Sequence, residues 1–241
     1  QSKAEVMAAI DNPLKDLPNS SREVAAAIVS FPQHKVLKQE EATVESVLAT
    51  LPDCNILHLS CHGTANLREP LNSGLAMNNG LLTLRQFLDL KLSDQGGIRL
   101  AVLSACETGL VGTELADEAI GLPSGLLQAG VAGVVASLWS VSDLSTMLLI
   151  TRFYDLWRNT GLEPPAALTQ AQQWIRDTTN QQKYDYLKIH FQVLANQGQM
   201  AEQEVKHLLS EFMIHYIYSD GPNSRSFAHP FHWAAFSHTG V

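Results

Sequence analysis

The chain has 241 residues, which is enough for one large domain or two small ones and for a core that needs no disulfide or metal support. Hydrophobic residues make up 45% and charged residues 17%, and this composition excludes a disordered or fibrous chain. The formal net charge of -8, without clustered Lys and Arg, argues against a nucleic-acid partner. No apolar run approaches the roughly 18–20 residues of a membrane span, so no membrane partner is expected.

The three cysteines, Cys54, Cys61 and Cys106, are too few for a disulfide scaffold. They favour a reducing compartment, and the expected location is cytoplasmic. The chain starts with Gln1 rather than Met, which suggests a piece of a longer protein. We expect residues 1–241 to form a single domain.

Several elements are predicted in the first half of the chain. The first 20 residues contain two prolines and several turn formers, and they predict a leading loop. A helix over residues 22–31 follows, capped by Ser20 or Ser21. Apolar spacing then predicts, in order, a strand over 34–38, a helix over 40–51 and a buried strand over 55–60.

A hairpin turn signal follows at Asn78-Asn79-Gly80, since these residues tolerate positive φ. A helical piece ends at Gly130, and a helix follows a cap at Ser142 or Asp143. Residues 181–217 are polar and helical in pattern, and they resemble an inserted helical hairpin more than core. The other predicted elements are buried strands over 99–106 and 131–139, a helix over 164–179 and a closing strand over 230–236.

Alternating strands and helices indicate an α/β fold with a mostly parallel sheet that has helices on both faces. Ligands of such sheets bind beyond the carboxyl ends of the strands. Three groups of residues are predicted there, namely 61–63, 106–109 and 139–143.

A cysteine and a histidine are therefore predicted at the ends of two buried parallel strands. Cys106 and His62 form the minimum pair for a thiol nucleophile with an imidazole partner. The amides of Gly63 and Cys106 are then candidates for an oxyanion hole. By spacing alone, an inert buried cysteine is the commoner interpretation.

The motifs around this pair together resemble the CHAT domain, a caspase-like peptidase module that is similar to separase and often follows TPR repeats. The resemblance covers nearly the whole chain in the right order. It is carried by LHLSCHG at 57–63, LNSGLAM at 71–77, LAVLSACETG at 100–109, GLLQAGVAGVVASLWSVSD at 125–143 and HPFHWAAF at 229–236.

The resemblance implies a caspase-like fold and the chemistry of a clan CD cysteine endopeptidase. His62 corresponds to the catalytic imidazole and Cys106 to the nucleophile, and Gly63 and Cys106 would supply the oxyanion-hole amides. No third catalytic carboxylate is required. A protein substrate is expected, with control by an attached or partner TPR-type region.

Three further residues are candidates for the substrate side of the site. Asp143 closes SLWSVSD, which resembles the separase segment whose final acid lies in the pocket for a basic P1 side chain. A carboxylate there would favour Arg over Lys through a bidentate contact, but Asp143 is equally a candidate helix cap. Trp139 is a candidate pocket wall or core anchor. Ser73 lies in a stretch that resembles a substrate-side loop.

Two alternatives to the peptidase remain open at this point. One is a catalytically quiet scaffolding or interaction module that keeps the caspase-like shape. The other is a non-proteolytic thiol enzyme or a redox sensor that uses Cys61 and Cys106. His58, Cys61 and His62 lack the paired spacing of zinc sites, so neither a metal nor a cofactor is expected.

Overall fold

The structure, a computed structural model, describes residues 5–11, 17–64, 66, 68–104 and 121–241. Its strands, in chain order, are β1 (Val6–Asp11), β2 (Gln33–Lys38), β3 (Ile56–Ser60), β4 (Gly63–Thr64), β5 (Gly74–Met77), β6 (Gly80–Thr83), β7 (Ile98–Leu103), β8 (Val131–Ser137) and β9 (Phe236–Gly240). Its α-helices are α1 (Ser20–Ile28), α2 (Val44–Thr50), α3 (Leu84–Asp89), α4 (Leu122–Gln128), α5 (Asp143–Thr160), α6 (Pro164–Asp177), α7 (Asn180–Asn196) and α8 (Glu202–Phe212).

Six strands form the main sheet, in the order β2-β1-β3-β7-β8-β9. The first five are parallel, and β9 pairs antiparallel with β8 at one edge. The inner strands β3 and β7 are almost continuously apolar and buried, as expected when helices cover both faces of a parallel sheet. The mostly parallel α/β architecture predicted from the sequence is thus confirmed.

Two hydrophobic clusters cover the two faces of this sheet. One face packs against α1, α5 and α6, where Phe153 and Tyr154 are fully buried. The other packs against α2, α3 and α4, where Phe87 and Leu126 are fully buried. Alternate residues of β3 enter the two clusters, since Ile56 belongs to the first and Leu57 to the second.

A small second sheet, β4-β5-β6, contains the predicted hairpin. Residues 78 and 79 form its turn, and Gly80 begins β6, which confirms the Asn-Asn-Gly signal. A Cβ atom at Gly74 would lie 2.3 Å from the carbonyl oxygen of Leu82. Only glycine therefore allows β5 and β6 to approach this closely.

Two predictions about the chain ends are wrong. Residues 6–11 form β1, a central strand between β2 and β3, although this region was predicted to be a loop. The apolar run VMAAI is short, and the prolines that follow it obscured its pairing. The closing strand is Phe236–Gly240 rather than 230–236, because Pro230–His232 forms a 3₁₀ turn before it.

The polar segment after α6 is helical, as predicted, and consists of α7, α8 and a π-helix over Met213–Tyr218. Its buried residues Leu187, Phe191 and Leu194 belong to the same hydrophobic cluster as Ile56 of the sheet. The segment therefore contributes to the core on the face of the sheet that α1 and α5 cover.

Candidate functional site

His62 follows β3 at the carboxyl end of the sheet. Its side chain is half-buried, and its backbone carbonyl accepts a 2.8 Å hydrogen bond from the amide of Ala76 in β5. Gly63 begins β4 and pairs with Leu75. The hairpin therefore holds both His62 and Gly63 at this edge of the main sheet.

The neighbouring strand β7 ends beside β3. Leu59 pairs with Leu103, and Ser104 donates to the carbonyl of Leu59 from its backbone nitrogen at 3.1 Å and from its hydroxyl at 3.3 Å. Cys106 lies two residues further along, outside the described residues. Ser104, two residues before Cys106 in sequence, is thus hydrogen-bonded to β3, the strand that precedes His62.

Cys61 is next to His62 in sequence. Its side chain is fully buried in the hydrophobic cluster that α2, α3 and α4 cover. Burial, with a smaller contribution from the negative charge of Glu23, raises the pKa of the Cys61 thiol to about 12. A thiol is nucleophilic as its thiolate, so this environment suppresses the reactivity of Cys61. The burial of Cys61 disfavours the redox alternative that paired it with Cys106.

In the native chain treated with iodoacetamide at pH 8, Cys61 is expected to remain unmodified, because its full burial excludes the reagent and raises the pKa of the thiol. Cys54 is also buried, with a pKa of about 12, and serves as an internal comparison. Peptide mapping by mass spectrometry reads out the modification, and urea-unfolded chain should be labelled at both cysteines. Rapid labelling of Cys61 in the native chain would contradict its burial.

His58 belongs to a buried polar cluster beneath the end of β3. Its Nε2 lies 3.1 Å from Oε1 of Glu23, and its Nδ1 lies 3.1 Å from the hydroxyl of Tyr154. Burial and then the charge of Glu23 raise the pKa of Tyr154 well above its usual value. This cluster joins β3 to α1 and α5. Within the described ranges no group of three or more His, Cys, Asp or Glu side chains is placed to hold a metal ion.

Asp143 is the first residue of α5, and it does not cap the helix. The cap is Ser142, whose hydroxyl accepts a hydrogen bond from the amide of Ser145. The Asp143 carboxylate instead accepts from Asn19, whose backbone nitrogen lies 2.9 Å and whose Nδ2 lies 2.6 Å from Oδ2. Burial raises the pKa of Asp143, and these two hydrogen bonds oppose the rise.

The start of α1 connects this carboxylate to β3, the strand that precedes His62. The hydroxyl of Ser20 donates to the carbonyl of Ser60 at 3.2 Å and to Asp11 at 2.7 Å. Asn19 immediately precedes Ser20 and holds Asp143. Asp143 and the end of β3 therefore both contact the N-terminal end of α1.

Ser73 and Trp139 both make contacts that stabilise the fold. The hydroxyl of Ser73 is buried and accepts a 2.9 Å hydrogen bond from the amide of Asn66. Trp139 is half-buried against the cluster that α1 and α5 cover, and its indole nitrogen donates to the carbonyl of Phe231 at 3.3 Å. Of the two candidate roles of Trp139, these contacts support that of a core anchor.

Asn19 and Arg22 are the residues that the sequence interpretation did not identify. Nδ2 of Asn19 contacts Asp143, and its Oδ1 accepts a 2.6 Å hydrogen bond from Arg22. Asn19 falls in the segment 1–20 that the sequence predicts to be a loop, and Arg22 falls in the predicted helix over 22–31, where nothing in the sequence indicates its contact with Asn19. The apolar run VMAAI before Asp11 was the available signal that this segment contains a strand.

Comparisons with known proteins give matches of two kinds, to a family model and to solved structures. The family model of the CHAT domain matches residues 2–241. Among solved structures, a chain of the complex of Porphyromonas gingivalis RgpB pro- and mature domains matches with 12% sequence identity and a TM-score of 0.45. That match covers 64% of this chain and 37% of the other. A search of curated protein sequences finds no match. None of the helices in the described parts of the chain is long and apolar enough to cross a membrane.

Proposed function

This chain belongs to the CHAT domain family, and from that premise we propose that it is a caspase-like cysteine endopeptidase. Cys106 is the nucleophile, and His62 is the acid and base. The substrate is a protein cleaved after a basic P1 residue, most favourably arginine. The family membership shows a domain type that includes peptidases, and activity is part of the proposal.

The adjacency of β3 and β7 is the observation that carries this proposal. These strands are parallel neighbours, one leads to His62, and the other leads through Ser104 towards Cys106. Carboxyl ends of adjacent parallel strands lie at the same edge of a sheet, where catalytic groups of open α/β sheets meet. Cys61 and Cys54 are buried with raised pKa values, which leaves Cys106 as the cysteine best suited to the reaction.

The proposed reaction proceeds through two acyl transfers. The Cys106 thiolate adds to the scissile carbonyl, and the amides of Gly63 and Cys106 stabilise the oxygen that becomes negatively charged. Protonated His62 then gives its proton to the leaving amine as the C–N bond breaks, which leaves a thioester. Water, deprotonated by His62, hydrolyses the thioester and releases the acid and the free thiol.

On the substrate side, Asp143 is proposed to bind the P1 guanidinium, with Trp139 and Ser73 as neighbouring residues of the same pocket. The carboxylate lies at the first turn of α5 and is half-buried, so water competes less strongly with a bound cation than at an exposed site. Arginine is preferred over lysine because its planar fork matches a carboxylate in a bidentate contact. A TPR-type region, attached or on a partner, is proposed to control access.

A peptide acyloxymethyl ketone with Arg at P1 tests the proposal, because it alkylates an activated catalytic thiol. Intact mass and peptide mapping should locate one adduct on Cys106, and the adduct should be lost in Cys106→Ala and in His62→Ala. Cys54→Ala is the matched control, since it removes a thiol that lies outside the proposed site and should leave labelling unchanged. The same probe with Met at P1 tests the basic preference.

The other outcomes distinguish the remaining alternatives. An unlabelled Cys106, also after candidate partner proteins are added, would overturn the peptidase and favour the scaffolding module. Labelling of Cys61 would mean that the assigned nucleophile is wrong. Equal labelling by the Arg and Met probes would keep the nucleophile and overturn the assignment of Asp143.

A further inference from the structure

We propose that Asn19, held in orientation by Arg22, is a positioning residue for Asp143 and thereby determines selectivity for a basic P1 side chain. This inference rests on the proposed function, because Asp143 is its substrate-binding carboxylate. It adds Asn19, which precedes α1, and Arg22 of α1 to a proposed P1 pocket that so far includes Trp139 and Asp143.

Asn19 contacts the Asp143 carboxylate with both of its donors. The backbone nitrogen and Nδ2 reach the same oxygen, Oδ2, at 2.9 and 2.6 Å. Neither hydrogen bond uses Oδ1. Two donors that converge on one oxygen fix the plane of the carboxylate and therefore the direction of Oδ1.

The Asn19 side chain makes these contacts and does not cap α1. It occupies the N-cap position of α1, and asparagine is among the best capping residues, yet its side chain makes no capping hydrogen bond. A residue that breaks a favourable local rule is typical of a functional position. Here the side chain that would cap α1 binds the carboxylate of another helix instead.

Arg22 determines which way the Asn19 amide faces. Its guanidinium donates to Oδ1 of Asn19 at 2.6 Å, and this leaves Nδ2 facing Asp143. In the flipped orientation, Oδ1 would face the carboxylate and Nδ2 would face the guanidinium, and both contacts would be repulsive. The two charged neighbours therefore select one amide orientation.

Helix α8 holds Arg22 in turn. Arg22 is almost fully buried, and carboxylate oxygens of Glu204 and Glu211 lie 3.8 and 3.6 Å from its guanidinium. Both glutamates are partly exposed, so each pair is individually weak. The contacts nevertheless connect the polar helical segment after α6 to the Asp143 carboxylate through only two side chains.

Asn19 and Arg22 also affect the protonation of Asp143. Among the described residues, the charged groups that shift the pKa of this carboxylate are Glu23, which raises it, and Arg22, which lowers it. The Asn19 hydrogen bonds lower it as well and oppose the effect of burial. Without them, Asp143 would become protonated at a higher pH, and a neutral carboxyl binds a guanidinium poorly.

Two fluorogenic peptides that are identical except for Arg or citrulline at P1 test this inference with the complete chain. Citrulline keeps the shape of arginine and lacks its charge, so the ratio of the two kcat/KM values reports the carboxylate contact. We expect Asp143→Asn to lower this ratio about 100-fold, since the guanidinium of the P1 arginine would enter the pocket without a carboxylate to bind. Asn19→Ala is expected to lower it about tenfold through loss of one charge-assisted hydrogen bond.

Controls separate positioning from general damage to the fold. Asn159→Ala removes a 3.0 Å asparagine-to-aspartate hydrogen bond at the other end of α5 and should leave the ratio unchanged. Arg22→Met should act in the same direction as Asn19→Ala, and the double variant should lower the ratio by less than the product of the two single effects, because part of the effect of Arg22 passes through Asn19. Partial unfolding would lower both rates equally and would not move the ratio.

The outcomes distinguish this inference from the proposed function. If Asp143→Asn lowers the ratio and Asn19→Ala does not, the positioning role of Asn19 is overturned and the assignment of Asp143 to the P1 pocket is kept. If Asp143→Asn also leaves the ratio unchanged, the assignment of the pocket fails. If the wild-type chain cleaves neither peptide, carbon-13 NMR of the Asp143 carboxyl group decides the positioning role alone. An unchanged pKa of Asp143 in Asn19→Ala would then overturn it, and a rise would support it.

Discussion

Replacing Cys106 with alanine is expected to reduce kcat/KM for a fluorogenic Arg-P1 peptide by at least about 10³-fold. Alanine removes the sulfur that forms the thioester, and no other group in the proposed mechanism replaces it. His62→Ala should cause a loss of similar size. The double variant should lose no more than either single variant, because the two residues act as a unit.

The assay for this prediction is the initial rate of peptide cleavage. Cys54→Ala should retain wild-type activity, since Cys54 is buried against α2 and the turn that follows it and lies outside the proposed site. Circular dichroism of each variant would establish that it is folded. Residual cleavage above about a tenth of the wild-type rate in folded Cys106→Ala would refute the assignment of the nucleophile.

Replacing Phe191 with alanine is expected to lower the free energy of unfolding by roughly 3–5 kcal/mol, the usual loss for a fully buried phenylalanine. Phe191 lies in α7, is fully buried and belongs to the cluster that covers one face of the main sheet. The loss combines the transfer of the ring with the cavity that alanine leaves. The midpoint of urea unfolding measures this change.

Ile189 provides the matched comparison, because it lies two residues away on the same helix and is 70% exposed. Ile189→Ala should change the free energy of unfolding by no more than about 0.5 kcal/mol. Equal effects of the two substitutions would contradict the packing of α7 into the hydrophobic cluster that α1 and α5 share. A separate unfolding step for Phe191→Ala would instead show that α7 and α8 unfold as an independent unit.

The polar composition of residues 181–217 conceals this packing. Lys183 is fully buried, and its Nζ donates to the carbonyl and the hydroxyl of Thr178 at 2.7 and 2.8 Å. Asn180, the residue just before this segment, is also fully buried, and its Nδ2 donates to the carbonyl of Tyr216 at 2.9 Å. Both residues look like solvated surface in a sequence, because periodicity does not report which polar groups find partners in the fold.

The sequence by itself determined the α/β class, the inner strands β3, β7 and β8, and the identity of the candidate catalytic pair. Strands β3, β7 and β8 are runs of apolar residues that can only be buried on both sides, and the Asn-Asn-Gly turn encodes its hairpin locally. The motifs around His62 and Cys106 are contiguous, so they are recognisable in the sequence without knowledge of the fold.

Only the tertiary structure decided the role of residues whose partners are distant in sequence. Asn19 and Asp143 are separated by 124 positions, and each is an acceptable helix cap when considered alone. The fold brings the start of α1 beside the start of α5, so Ser142 caps α5 and the Asn19 amide binds the Asp143 carboxylate. Cys61 and His62 are neighbours in sequence, yet one thiol is fully buried and the imidazole is half-buried. Local pattern predicts elements, whereas the chemistry of a side chain depends on burial and on partners that only the folded chain supplies.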